Sequence, residues 1–99
     1  MKKSFILFVF LLCSIVVVAQ KKSITGIITD TAGEAVIGAS IVEVGTTNGT
    51  VSDVDGNFTL SVSDNASIQI SFIGFSSQTL SVQGKMNFKI ILKEDSELL

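Results

Sequence analysis

The chain has 99 residues with seven Lys against nine Asp and Glu, a single Cys, and no His, Trp, Tyr or Pro, for a formal charge of −2. So few cations offer no basic face to a phosphate backbone, which argues against nucleic acid as a partner. One Cys and no His rule out a disulfide scaffold and a Cys or His metal site.

The N-terminus reads as an export signal. Lys2 and Lys3 precede an almost unbroken apolar stretch over residues 5–18, and Val17-Val18-Ala19 before Gln20 supplies a small residue for signal peptidase. That stretch is shorter than the roughly 20 residues a membrane-spanning helix needs. Leu12 stands where a lipoprotein signal carries a small residue before its Cys, so Cys13 is expected to leave with the signal. Residues 1–19 are thus a signal peptide, expected as a helix, and the exported part begins at Gln20. It carries five Lys against nine Asp and Glu, a formal charge of −4. Eighty residues bury one modest core, so one domain is expected, near the lower limit of what folds without staples.

Taken in chain order, the exported part reads as all-β. Residues 23–29, 39–44 and 50–52 are β-rich runs; in 39–44 Ile41, Val42 and Val44 fall on both parities, so no face can be assigned. Phe58-Thr59-Leu60-Ser61-Val62 alternates apolar and polar. So do Ser67-Ile68-Gln69-Ile70-Ser71-Phe72, Gln78-Thr79-Leu80-Ser81-Val82 and Met86-Asn87-Phe88-Lys89-Ile90, after which Ile91 breaks the period. Turn chemistry separates the runs at Asp30-Thr31-Ala32-Gly33-Glu34, Asn48-Gly49, Asp55-Gly56-Asn57, Asp64-Asn65 and Gln83-Gly84. Seven short strands without a helical window predict a small antiparallel β-sandwich. Its core should hold Phe58, Leu60, Ile68, Ile70, Phe72, Leu80, Phe88 and Ile90, with Thr59, Ser61, Gln69, Ser71, Ser81 and Lys89 facing water. Gly56 is expected at positive φ, and Phe72 and Phe75 are expected to close the core around a bulge at Gly74.

Chemistry-bearing patterns are sparse. Asp53-Val54-Asp55-Gly56-Asn57 starts like a calcium loop, but the chain enters a strand at Phe58 before any bidentate Glu, so the Asp side chains are read as turn caps. The serines have no His and no convincing Lys to activate them. The sequons at Asn48, Asn57 and Asn65 are read as turn residues followed by β-favouring Thr or Ser, without glycans. No catalytic, cofactor-binding or metal-ligating residue is assigned.

A longer pattern then stands out. It comprises Ile24-Thr25-Gly26-Ile27-Ile28-Thr29-Asp30, Gly33-Glu34, Ile37-Gly38-Ala39-Ser40-Ile41, the stretch Gly45-Thr46-Thr47-Asn48-Gly49-Thr50-Val51-Ser52-Asp53-Val54-Asp55-Gly56-Asn57-Phe58, and Ile70-Ser71-Phe72-Ile73-Gly74-Phe75. This resembles the carboxypeptidase-regulatory-like domain over residues 22–93, in the version found at the N-terminus of SusC/RagA-class TonB-dependent outer-membrane receptors of Bacteroidota. Ala35 departs from the pattern, where the family often has Pro, and should only loosen a loop.

The resemblance implies a seven-stranded transthyretin-like or immunoglobulin-like sandwich. It implies a non-enzymatic accessory module on the periplasmic face of the outer membrane, ahead of the plug and barrel of a receptor importing glycans or peptides. Its partners would be that plug and barrel, with periplasmic energy-transducing components also in reach, and it would need no cofactor. The expected organisation is a signal over 1–19, the sandwich over 20–93 and an acidic tail over 94–99 leading towards an absent TonB-box and plug region. Eighty residues make no barrel, so the chain is expected to be a fragment or a stand-alone copy. Two other classes fit the residues: a free-standing exported structural or carbohydrate-binding module, and a small accessory domain of a hydrolase.

Overall fold

The computed structural model describes residues 21–95; the expected signal over 1–19, with its helix and cleavage point, and the tail beyond residue 95 lie outside them. The described residues form seven strands: β1 (Lys21–Asp30), β2 (Ser40–Glu43), β3 (Gly49–Val51), β4 (Asn57–Ser63), β5 (Ser67–Ser71), β6 (Gln78–Ser81) and β7 (Asn87–Leu92). Each β-rich run of the sequence becomes one strand. They build two sheets, ordered β4-β1-β7 and β3-β2-β5-β6.

Alternation decides the faces. On the three-stranded sheet Ile24, Ile28, Phe58, Leu60, Val62, Phe88, Ile90 and Leu92 point inward, and on the four-stranded sheet Ile41, Ile68 and Ile70 meet them. Each fully buried Ile or Leu contributes about 1.5–3 kcal/mol of transfer free energy, and this layer holds the sheets together. Phe58, Leu60, Ile68, Ile70, Phe88 and Ile90 are buried as expected. Phe72 and Leu80 reach the core only from its rim. Phe72 is the first residue past β5 and leans on Phe75, with ring centroids 5.9 Å apart, while Leu80 lies in edge strand β6. Thr59, Ser61, Gln69, Ser81 and Lys89 are exposed and Ser71 is half-buried.

In the run without a legible face, Ala39, Ile41 and Glu43 point inward, while half-buried Val42 and exposed Val44 take the other side. The period was hidden because a carboxylate occupies a core-facing position and valines an outer one.

Two local expectations change. The pairing is not antiparallel throughout, because β7 lies parallel to β1, with Gly26 opposite Phe88 and Ile28 opposite Ile90. After β6 the chain crosses between sheets and runs up beside its own first strand in the same direction. Gly74 sits in a tight turn, not a bulge: the Phe75 N–H donates to Phe72 O at 3.0 Å, and Gly74 has φ +87°. Gly at the third position with positive φ defines a type II turn, which lifts Ile73 to 88% exposure at its tip.

The register places the two ends of the described segment at opposite poles. Lys21 pairs with Ser63 at the entry end, whereas Asp30 pairs with Leu92 at the exit end.

Candidate interaction surfaces

The polar residues of the sequence pattern turn out to tie loops together. The Asp53 carboxylate accepts the N–H groups of Asp55 and Asn57, both at 2.9 Å, and Gly56 N–H donates to Asp53 O. Asp30 repeats this bond for bond, accepting Ala32 and Glu34 N–H while Gly33 N–H donates to Asp30 O. The carboxylates cap backbone amides, as the turn reading expected for Asp53; Asp55 supplies only its N–H to this turn. Gly56 has φ +79°, and a Cβ there would collide with the Ile28 carbonyl oxygen. Buried Ser52 donates to Val36 O at 2.6 Å and accepts Ala39 N–H at 2.9 Å, pinning the β1–β2 connection to β3.

Thr46 and Asn48 act in the same way. The Thr46 hydroxyl donates to Glu43 O and accepts Asn48 N–H, shaping the β2–β3 turn. The Asn48 amide donates to Glu43 Oε1 at 2.9 Å and to Ser61 O at 2.6 Å, so this sequon nitrogen is already engaged twice. Glu43, 7% exposed, also accepts Ser63 N–H at 3.4 Å. The Asn48 hydrogen bond holds the Glu43 carboxyl below the usual carboxylate range; burial opposes this, and Ser63 and the more distant Lys21 reinforce it. Sequence reading saw Asn48 only as a turn residue and missed Glu43. Its one signal was a Glu in a β run whose apolar residues already fell on both faces.

Among the described residues no three His, Cys, Asp or Glu side chains converge on a metal-sized site. Phe58, Phe72, Phe75 and Phe88 all pack in or against the core, so the outer faces of the described sheets carry no aromatic platform.

Sheet edges are further candidates. The β3/β4 flank is closed by side chains: the Asp53 turn at one end, Asn48 to Ser61 O in the middle, Glu43 to Ser63 N–H at the other. The β6/β7 flank is crossed at the entry end by the connection over residues 82–86 and closed at the exit end by a returning segment. There Phe75 bridges Glu94, Ser76 N–H donates to Lys93 O at 2.9 Å, Asp95 N–H donates to Gly74 O, and the Gln78 amide donates to Ile91 O at 2.5 Å. Between these two closures β6 and β7 leave a cleft of about 310 Å³ lined by Leu80, Ser81, Lys85, Asn87, Phe88 and Lys89.

The CarboxypepD_reg-like domain family matches residues 24–99, and the chain belongs to it. The TonB-dependent receptor SusC of Bacteroides thetaiotaomicron is 51% identical over 81 residues, covering 82% of this chain and 8% of the receptor. The TonB-dependent receptor P3 of Formosa agariphila is 37% identical over 97 residues, covering 95% of this chain and 10% of the receptor. The chain therefore spans a tenth or less of these relatives. Among solved structures, a chain of a type II cohesin–X-dockerin complex from Acetivibrio cellulolyticus, an N-terminal interface mutant, superposes with a TM-score of 0.62 at 18% identity, covering 74% of this chain and 58% of that one. A C-terminal interface mutant of the same complex gives 0.57 at 16% identity, covering 72% and 56%. These two likenesses concern fold alone.

Proposed function

We propose that the chain is a non-enzymatic accessory domain of the kind that stands at the N-terminus of TonB-dependent outer-membrane receptors. It is exported by the signal over residues 1–19, resides at the periplasmic face of the outer membrane, and works beside a receptor plug and barrel without a cofactor. It is a fragment of such a receptor or a stand-alone copy of its domain. The 51% identity to SusC carries this reading. The site chemistry supports it: Ser52, Asp53, Asn48 and Glu43 are engaged in loop and edge hydrogen bonds, which leaves them poorly placed for catalysis. A carbohydrate-binding module has less support, because flat sugar-binding faces rely on exposed aromatic rings and the four described phenylalanines are turned inward.

Cell fractionation with N-terminal sequencing tests the proposal. Expected is a protein in the envelope fraction that starts at Gln20 and crosslinks to a receptor barrel. Recovery from the cytoplasm with Met1 retained overturns it.

A further inference from the structure

We infer that the entry-end half of the β6/β7 flank takes up an extended peptide from another polypeptide, added as a strand, with acidic side chains at alternate positions and aliphatic ones between. The inference concerns this chain alone and holds whether or not a receptor barrel accompanies it.

The backbone supplies the template. Thr25 N–H donates to Met86 O, so the even residues at the start of β7 turn their backbone groups towards β1. Alternation turns those of Asn87, Lys89, Ile91 and Lys93 outward. Ile91 O and Lys93 O are engaged by Gln78 and Ser76. The outward groups of Asn87 and Lys89 continue the same edge into the cleft. On the facing strand, Val82 N–H donates to Ala66 O, so the even residues of β6 face β5 and the backbone of Thr79 and Ser81 faces the gap. The edge is also competent to pair: the 74–78 segment already lies against its exit-end half, with an antiparallel bridge from Phe75 to Glu94. An incoming strand extends a ladder that has begun.

Side chains around the cleft specify the occupant. Phe88 and Leu80 lie on the core side, so every second residue of an added strand meets apolar surface and is aliphatic. Lys89 lies on the outer face of β7, opposite the intervening positions, and Lys85 stands at the turn. Of the six lining residues two are lysines and none is acidic. Lys22 adds a third cation at the entry end, where its ammonium donates to Val82 O at 2.6 Å. Carboxylates at the intervening positions place opposite charges across the strands.

The test uses the ¹⁵N-labelled chain purified as exported, with three end-capped peptides: Ser-Glu-Leu-Glu-Leu-Glu-Ser, its Lys-for-Glu counterpart, and the block sequence Ser-Glu-Glu-Glu-Leu-Leu-Ser. Expected are saturable amide shifts at residues 79–81 and 87–89 with the alternating acidic peptide, and binding weaker by roughly tenfold or more with the other two. The double substitution Lys85→Glu with Lys89→Glu, on exposed positions that leave the fold intact, should reverse the preference to the lysine peptide. No shifts at the cleft, shifts centred on β4, equal response to the lysine peptide, or equal response to the block peptide would each overturn the inference.

Discussion

Along the β3/β4 flank side chains reach from one sheet to the other, whereas along β6/β7 the backbone closes the gap through a returning segment. In the first case Asn48 and Glu43 engage Ser61 O and Ser63 N–H on β4. In the second, Ser76 N–H and the Gln78 amide cover only the last outward carbonyls of β7, and the remainder of that edge opens into a cleft. Side chains that bond edge groups in place leave an added strand little to pair with, and a backbone closure that stops halfway leaves a ladder ready to extend. The difference separates the flank that stabilises the domain from the flank free to bind.

Two glycines with the same backbone conformation test that separation most severely. Gly56 (φ +79°) and Gly84 (φ +75°) both occupy the left-handed region. A Cβ on Gly56 collides with Ile28 O and comes within 3.2 Å of the Ala35 Cβ, whereas one on Gly84 meets nothing within 4 Å. Gly56→Ala should therefore cost about 3 kcal/mol or more, conformational strain plus overpacking. Gly84→Ala should cost about 1 kcal/mol, from strain alone. Denaturant melts measure both, and equal losses would mean that the β3/β4 end is no more tightly built than the β6–β7 turn.

The next contrast is between the clasps themselves. Asn48→Ala removes two hydrogen bonds at once and strips the buried Glu43 carboxylate of its main donor, for an expected loss of about 2 kcal/mol. Gln78→Ala removes one bond at an exposed site and should cost less than about 1 kcal/mol. If Gln78→Ala proved the more damaging in chemical denaturation, the roles assigned to the flanks would be reversed.

The fold was legible where strands have one wet face. Ile68, Ile70, Phe58, Leu60, Phe88 and Ile90 alternate with polar residues, and each is buried where the period puts it. Legibility failed where a local rule was overridden from a distance. Glu43 faces the core because Asn48 and Ser63, five and twenty residues away, supply its donors, and no periodicity encodes those partners. The β1/β7 parallel pairing was likewise hidden, because strand direction depends on which sheet the chain enters after β6. Gly74 announced a change of backbone direction; whether a turn or a bulge supplied it depended on how Phe72 and Phe75 could both reach the rim. The cleft was the least visible feature, since Lys85 and Lys89 look like ordinary surface charge until the fold sets both on the rim of one opening.

The smallest expected effect is a pH dependence confined to one flank. The closing bonds on β6/β7 use an amide side chain and backbone groups, none of which titrates, while the β3/β4 clasp uses the Glu43 carboxylate. Its pKa is lowered in the folded state, first by the Asn48 hydrogen bond. A depressed folded value means that the unfolded chain takes up its proton first as acid is added. The stabilisation is therefore present above the ordinary glutamate value of about 4.3 and is lost as pH falls through the lower folded value. Glu43→Gln keeps an acceptor for Asn48 but has no charge to titrate, so it should be slightly less stable than the parent at neutral pH. That gap should close on acidification below about pH 4.3. Stability measured against pH for both proteins decides the point: a gap that persists unchanged to about pH 3 would show that the carboxylate's charge plays no part in closing the flank. If Gln78→Ala, measured alongside, keeps a constant offset from the parent over the same range, the acid response belongs to the β3/β4 flank alone.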